Sequence, residues 1–198
     1  MMETYPAFRC GLILCCMRGS GNMAANEETL RLVRKHLPGG VVCAIDLAGA
    51  EALFPTSDYA GLFEQARAQQ IPMTIHAGEA AGPESIRQAL SFGTKRIGHG
   101  ITAAGDPALV RQLAEAGVTL EVCPTSNVQT KGAVSLEQHP IRALFDAGVR
   151  VTVNSDNMTV SNIDLPREIA LLKTHLGFTG EEIGTMQRYA REASFLRD

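Results

Sequence analysis

Residues 73–79, Met73-Thr74-Ile75-His76-Ala77-Gly78-Glu79, decide the fold. A short apolar and β-branched run ends in an imidazole and, three residues on, a carboxyl, and the chain then turns towards a helix-like segment opening at Pro83. The same pattern recurs at Arg96-Ile97-Gly98-His99-Gly100 and at Val153-Asn154-Ser155-Asp156-Asn157. In a parallel α/β fold the C-terminal ends of the strands all open on one face. His76, Glu79, His99 and Asp156 are therefore expected to converge, although they lie far apart in the chain.

Outward from that stretch the chain alternates two periods. Residues 10–17 (CGLILCCM) predict a strand covered on both faces, 41–47 (VVCAIDL) a second buried strand, and 73–77, 96–98, 119–123 and 151–154 four more. Helices are predicted over 26–36, 59–70, 83–92, 107–116 and 140–147. Pro83, Pro107 and Pro140 open the last three, and Gly93, Gly117 and Gly148 close them. Asn26 reads as the cap of the first helix. The tail, 165–198, reads as helical and broken at 177–180, with Thr179 or Gly180 capping the second piece. Repeated β-then-α units predict a parallel sheet in a single domain spanning 1–198. Only about six such units are present, whereas a closed (β/α)8 barrel has eight in ~250 residues. An open doubly wound sheet is the alternative. The spread of strand-end titratable residues over nearly every unit favours a TIM-barrel type fold, here an incomplete barrel of about six parallel βα units.

With 198 residues, 45% of them hydrophobic, the chain is long enough to bury a sizeable core. A formal net charge of -3 and no run of Lys or Arg exclude the electrostatic footprint of a nucleic-acid binder. No apolar stretch reaches the ~18 residues of a membrane span, and residues 1–6 lack the basic start and apolar core of a signal peptide. A cytoplasmic protein with a small neutral substrate is expected. The five cysteines form no C-x-x-C pair and read as reduced, mostly buried thiols without a chemical role.

An imidazole and a carboxyl near one turn suit a site where one group holds a metal and another moves a proton, and Ala77-Gly78 leaves room for a ligand. His99 sits between two glycines, which give its ring space and equally fit a tight turn. For Asp156 and Asn157, metal ligation and helix capping are both open. Glu121, a charge in an apolar run, is expected to face a neighbouring cation. Residues 124–127 read as a turn, and His36, His139 and His175 as solvent-facing.

HAGEAAGPESI (76–86), KRIGHG (95–100), LEVCPTSN (120–127), VTVNSDN (151–157) and VVCAIDLAGAE (41–51) together resemble the adenosine deaminase family of the metal-dependent amidohydrolase superfamily. That resemblance implies a (β/α)8 barrel with one Zn2+ per complete site at the strand C-termini. It also implies hydrolysis of adenosine or deoxyadenosine to inosine or deoxyinosine and ammonia. His76 resembles a zinc-ligating histidine and Asp156 the zinc-ligating aspartate. Glu79 resembles the general acid that protonates purine N1, and His99 the residue that orients the zinc-bound hydroxide attacking C6. Gly49 matches a glycine whose N–H contacts purine N3. Asn157 stands where many members carry an aspartate that contacts N7, and its NH2 can still donate to that acceptor. The family's first strand carries His-x-His, two further zinc ligands, and no His-x-His occurs here. The chain thus corresponds to the last six barrel units, and by itself is expected to bind metal weakly and to self-associate through unpaired strand edges. Alternatives are an adenine or AMP deaminase, against which Gly98 and the absence of a basic cluster for a 5′-phosphate speak, and an inactive remnant or subunit.

Overall fold

A computed structural model describes residues 8–196; residues 1–6, read above for a leader, and the last two residues of the tail lie outside the described residues. The elements follow in the order β1 (Leu12–Met17), α1 (Met23–His36), β2 (Val42–Ala48), α2 (Ala60–Ala68), β3 (Thr74–Ala77), α3 (Pro83–Ser91), β4 (Arg96–His99), α4 (Pro107–Glu115), β5 (Thr119–Val122), α5 (Pro124–Gln129), α6 (Ile141–Asp146), β6 (Arg150–Val153), α7 (Met158–Ser161), α8 (Leu165–Leu176) and α9 (Gly180–Glu192). Among the described residues no helix is long and apolar enough to cross a membrane.

Among the described residues all strand pairings are parallel. β1 pairs with β2, and β3, β4, β5 and β6 pair in that order. An isolated bridge, Ile45 to Met73, joins the two groups, with the Ile45 N–H donating to Pro72 O at 3.0 Å. The result is six strands of an incomplete barrel. Alternate side chains divide between its two faces. Ile45, Leu47, Ile75, Ile97, Leu120, Val122 and Val151 point outwards and are fully buried under the helices, against Phe63, Ile86, Leu109, Leu113, Ile141 and Leu144. Asp46, Thr74, His76, Arg96, Glu121 and Asn154 point inwards and line the concave side. Glu121 meets its expected cation there: Arg96 Nε donates to its Oε1 at 2.6 Å and Thr74 Oγ1 to its Oε2 at 2.7 Å.

The two end strands, β1 and β6, each keep one unpaired edge, as expected of an opened barrel, but their faces differ from expectation. β1, read as covered on both faces, is partly open, with Leu12 57% and Met17 48% exposed; Cys10 and Cys15, read as buried, are exposed with it. β6 is covered. α9 packs on its concave side, where the Arg150 guanidinium lies 4.8 Å from the Tyr189 ring centroid and bonds Glu192 at 2.5 Å. The chain then crosses the concave face towards β1: Arg96 Nη1 donates to Ala193 O at 3.1 Å and its guanidinium stacks 4.0 Å from the Phe195 ring centroid. Leu196 comes so close to Gly11 that a Cβ there would lie 2.9 Å from Leu196 Cδ2.

Two local readings change. α1 begins at Met23, and Asn26, read as its cap, is buried inside it; its amide exchanges bonds of 2.9 and 3.0 Å with the backbone of Met17, which locks the end of β1. Thr179 does cap α9, in a reciprocal box with Glu182.

Candidate active site

Each candidate side chain is set by where its strand stops. His76, on β3, places Nδ1 against the buried Asp46 carboxylate of β2, at 3.1 Å from Oδ1 and 2.9 Å from Oδ2. That pairing leaves Nε2 as the ring atom available to a ligand. Burial opposes a charge on this imidazole, but the Asp46 bond and charge outweigh it and raise the pKa to about 9. Opposite it, a Cβ on Gly98 would stand 3.0 Å from the ring, so a side chain there would press on the imidazole. The His76 carbonyl is held from below by Arg18, a buried guanidinium that also bonds Phe54 O at 2.8 Å and Thr56 Oγ1 at 2.9 Å.

After β3 the chain wraps around one carboxylate. Glu51 accepts the backbone N–H groups of Gly78, Glu79, Ala80 and Ala81 at 2.6, 3.0, 2.8 and 3.1 Å, and the Ser85 hydroxyl at 2.5 Å. Burial alone would raise its pKa; these donors overcome that and hold it below the usual carboxylate value. Gly78 takes φ 72°, and a Cβ there would meet Ile86 Cδ1 at 2.4 Å. The loop so held presents Glu79, whose Oε1 accepts from Thr130 Oγ1 at 2.9 Å and whose Oε2 lies 3.4 Å from His99 Nε2.

His99 and Asp156, at the ends of β4 and just beyond β6, both adopt left-handed backbone, φ 61° and 55°. Non-glycine residues there are uncommon and cluster at functional sites. The two histidine rings meet edge to face, centroids 5.1 Å apart. Asp156 accepts the Ser126 hydroxyl at 2.7 Å, and His99 Nδ1 faces Asn127 Nδ2 at 2.9 Å. Ser126 and Asn127 belong to α5, the stretch read as a turn. His139, read as solvent-facing, is buried against Asn127; His36 and His175 are exposed as expected.

His76, His99 and Asp156 share one cavity of about 270 Å³ with Asp46, Glu121 and Cys123. Within it, among the described residues, His99, Cys123 and Asp156 offer a set of possible metal-ligand atoms all within 4.8 Å of one another. Cys123, read as chemically silent, thus stands at the site. A hollow of similar size, about 290 Å³, opens at the other end of β1 and β2 and holds no acid–base pair. Gly49 follows β2 at the site end of the sheet, with φ 108°, where Arg18 N and O would stand 3.2 and 3.3 Å from a Cβ. Asn157 does cap a helix: its Oδ1 accepts from Val160 N at 3.0 Å, which among the described residues leaves its NH2 without a partner.

This constellation has relatives. The sequence profile described as adenosine deaminase matches residues 5–198. The chain is 45% identical over 192 residues to the adenosine deaminase of Haemophilus ducreyi (96% of this chain, 56% of that one) and 42% identical over 188 residues to that of Serratia proteamaculans (94% and 56%). It therefore spans little more than half the length of these relatives. Among solved structures, the adenine deaminase of Arthrobacter aurescens superposes with a TM-score of 0.84 at 28% identity, covering 95% of this chain and 57% of that one. The N6-methyl-AMP deaminase of Arabidopsis thaliana gives 0.84 at 27%, covering 95% and 55%. Six parallel strands with these side chains at their C-terminal ends, and a profile match across nearly the whole sequence, lead to one conclusion: the chain belongs to the adenosine deaminase family.

Proposed function

We propose that these residues form the larger part of the catalytic domain of a cytosolic adenosine deaminase, which adds water to C6 of adenosine or deoxyadenosine and releases ammonia. The observation that carries this reading is the convergence of His76, His99 and Asp156 on one cavity from the ends of three strands, with Glu79 3.4 Å from His99 Nε2. Glu79 is the general acid that delivers a proton to purine N1, and its contact with the His99 imidazole holds it beside that ring. His99 orients the oxygen that adds to C6. Gly49 N–H and the Asn157 NH2 are assigned to purine N3 and N7.

His76 and Asp156 fit a zinc ion in their chemistry: an imidazole whose Nδ1 is backed by a carboxylate, which leaves Nε2 to face an ion, and a carboxylate steadied by a serine. They are two of the three protein ligands a catalytic zinc normally has. Bound there, the ion would lower the pKa of water and polarise the reacting centre.

The relatives named adenosine deaminase are closer in sequence than the adenine and N6-methyl-AMP deaminases, which favours the nucleoside as substrate. The test joins residues 1–198 to the barrel units they lack, taken from the Haemophilus ducreyi relative, and follows adenosine, adenine and AMP by chromatography. Inosine formed faster than hypoxanthine or IMP is the expected result. Preference for adenine or AMP would move the substrate assignment, and a folded, zinc-loaded chimera inert towards all three purines would end the deaminase reading.

In the same protein, 7-deazaadenosine, which lacks the N7 acceptor, should bind more weakly than adenosine by about 1 kcal/mol, the scale of one buried hydrogen bond. Asn157→Ala should erase that difference. Equal discrimination with and without the amide would remove Asn157 from the purine pocket.

A further inference from the structure

We infer that Asn127 and His139 are positioning residues that fix the tautomer of His99, so that its neutral ring carries the proton on Nε2, the atom facing Glu79. The chain of bonds starts at a group that cannot reverse. The backbone N–H of Ile141, in the first turn of α6, donates to His139 Nδ1 at 3.1 Å. A peptide N–H only donates, so Nδ1 is bare and the proton of neutral His139 sits on Nε2. That nitrogen lies 3.3 Å from Asn127 Oδ1. The amide is thereby oriented, oxygen towards His139 and NH2 towards His99 Nδ1 at 2.9 Å. His99 Nδ1 must accept. Its remaining nitrogen, 3.4 Å from Glu79 Oε2, is left with the proton.

All three side chains are buried, Asn127 completely. Turning the amide over would set its NH2 against the Nε2–H of His139 and leave two buried donors unpaired, which is costly away from water. His139 is also kept neutral: burial, and then the neighbouring His99, lower its pKa to about 4. The backbone of Asn127 is itself tied down, its N–H donating to Cys123 O at 2.8 Å and its carbonyl accepting from Ala133 N at 2.9 Å. The relay is therefore a fixed feature of the fold.

For the reaction, which rests on the deaminase reading above, the consequence is directional. At Nε2 a neutral His99 donates and cannot accept, so it can hold an oxygen there by hydrogen bonding but cannot take a proton from it. Asn127 and His139 touch no substrate and act only through His99.

The test needs neither substrate nor metal, so its outcome is independent of whether the chain deaminates adenosine. Histidine labelled with 15N, in residues 1–198 at pH 8, is read by long-range 1H–15N correlation, with His99 assigned from the spectrum of His99→Gln. Both His99 and His139 should show a bare, pyridine-like Nδ1 and a protonated Nε2. Asn127→Asp keeps the shape and replaces the NH2 donor with an oxygen acceptor, so His99 should become protonated at Nδ1. A wild-type His99 with its proton on Nδ1 would overturn the inference, and this holds even where the variant fails to fold. An Asn127→Asp protein with native circular dichroism and an unchanged His99 pattern would overturn it equally.

Discussion

Glu79→Gln is expected to lower kcat for adenosine by roughly 10²- to 10⁴-fold in the chimera, the range general acid–base groups contribute, while leaving zinc content and thermal midpoint close to those of the parent. The geometry explains why the loss should be confined to chemistry. Glu79 makes one contact with the Thr130 hydroxyl and one with His99 Nε2. A glutamine can keep both, its oxygen accepting from His99 and its NH2 donating to the threonine hydroxyl, which serves as donor or acceptor. What it cannot do is give up a proton to N1 at neutral pH. Turnover by the glutamine variant within a few-fold of the parent would show that another group delivers the proton.

The second large effect is on stability. Glu51→Gln keeps the size of the side chain but replaces one of two carboxylate oxygens with an NH2, turned towards backbone N–H groups that are themselves donors. Three of the four amides in the 78–81 loop converge on a single Glu51 oxygen. Leaving buried donors unpaired costs roughly 1–3 kcal/mol each, so a loss of about 3 kcal/mol or more is expected. In a domain of this size that corresponds to a fall in Tm of roughly 6–12 °C. The pH dependence has a definite sign. Because the folded-state pKa of Glu51 lies below its ordinary value, its contribution is fully present above the unfolded carboxylate pKa of about 4.3, and is lost as pH falls through the lower folded value. The gap between parent and variant should be widest near neutrality and close in acid. Urea unfolding at pH 7 and at progressively lower pH measures it; coincident curves at pH 7 would show that the carboxylate does not hold the loop.

Glu51 also shows where a sequence stops being readable. It lies inside the stretch 41–51 whose resemblance pointed to the family, yet its partners are mainly backbone amides in the 78–81 loop, and backbone donors leave no trace in residue identity. α5 was hidden for a related reason. Its residues, Pro124-Thr125-Ser126-Asn127, are those of a turn by local preference. Tertiary bonds hold them in a helix, Ser126 to Asp156, Asn127 to His99 and the Thr125 N–H to the buried Glu168. His139, between Gln138 and Pro140, has polar surroundings in the chain and an interior position in space.

What the sequence alone determined is the order and direction of the strands and the side chains that stand at their ends. Apolar periodicity with proline at helix starts and glycine after helix ends marks each βα unit locally, and parallel strands then bring every C-terminal end to one face. The tertiary structure decided the exposure of the β1 face, the covering of β6 by α9, the partners of Glu51 and the direction of the bonds reaching His99. Each of these depends on groups brought together from separate units, and a hydrogen bond between them is specified by distance and angle, which only the folded chain supplies.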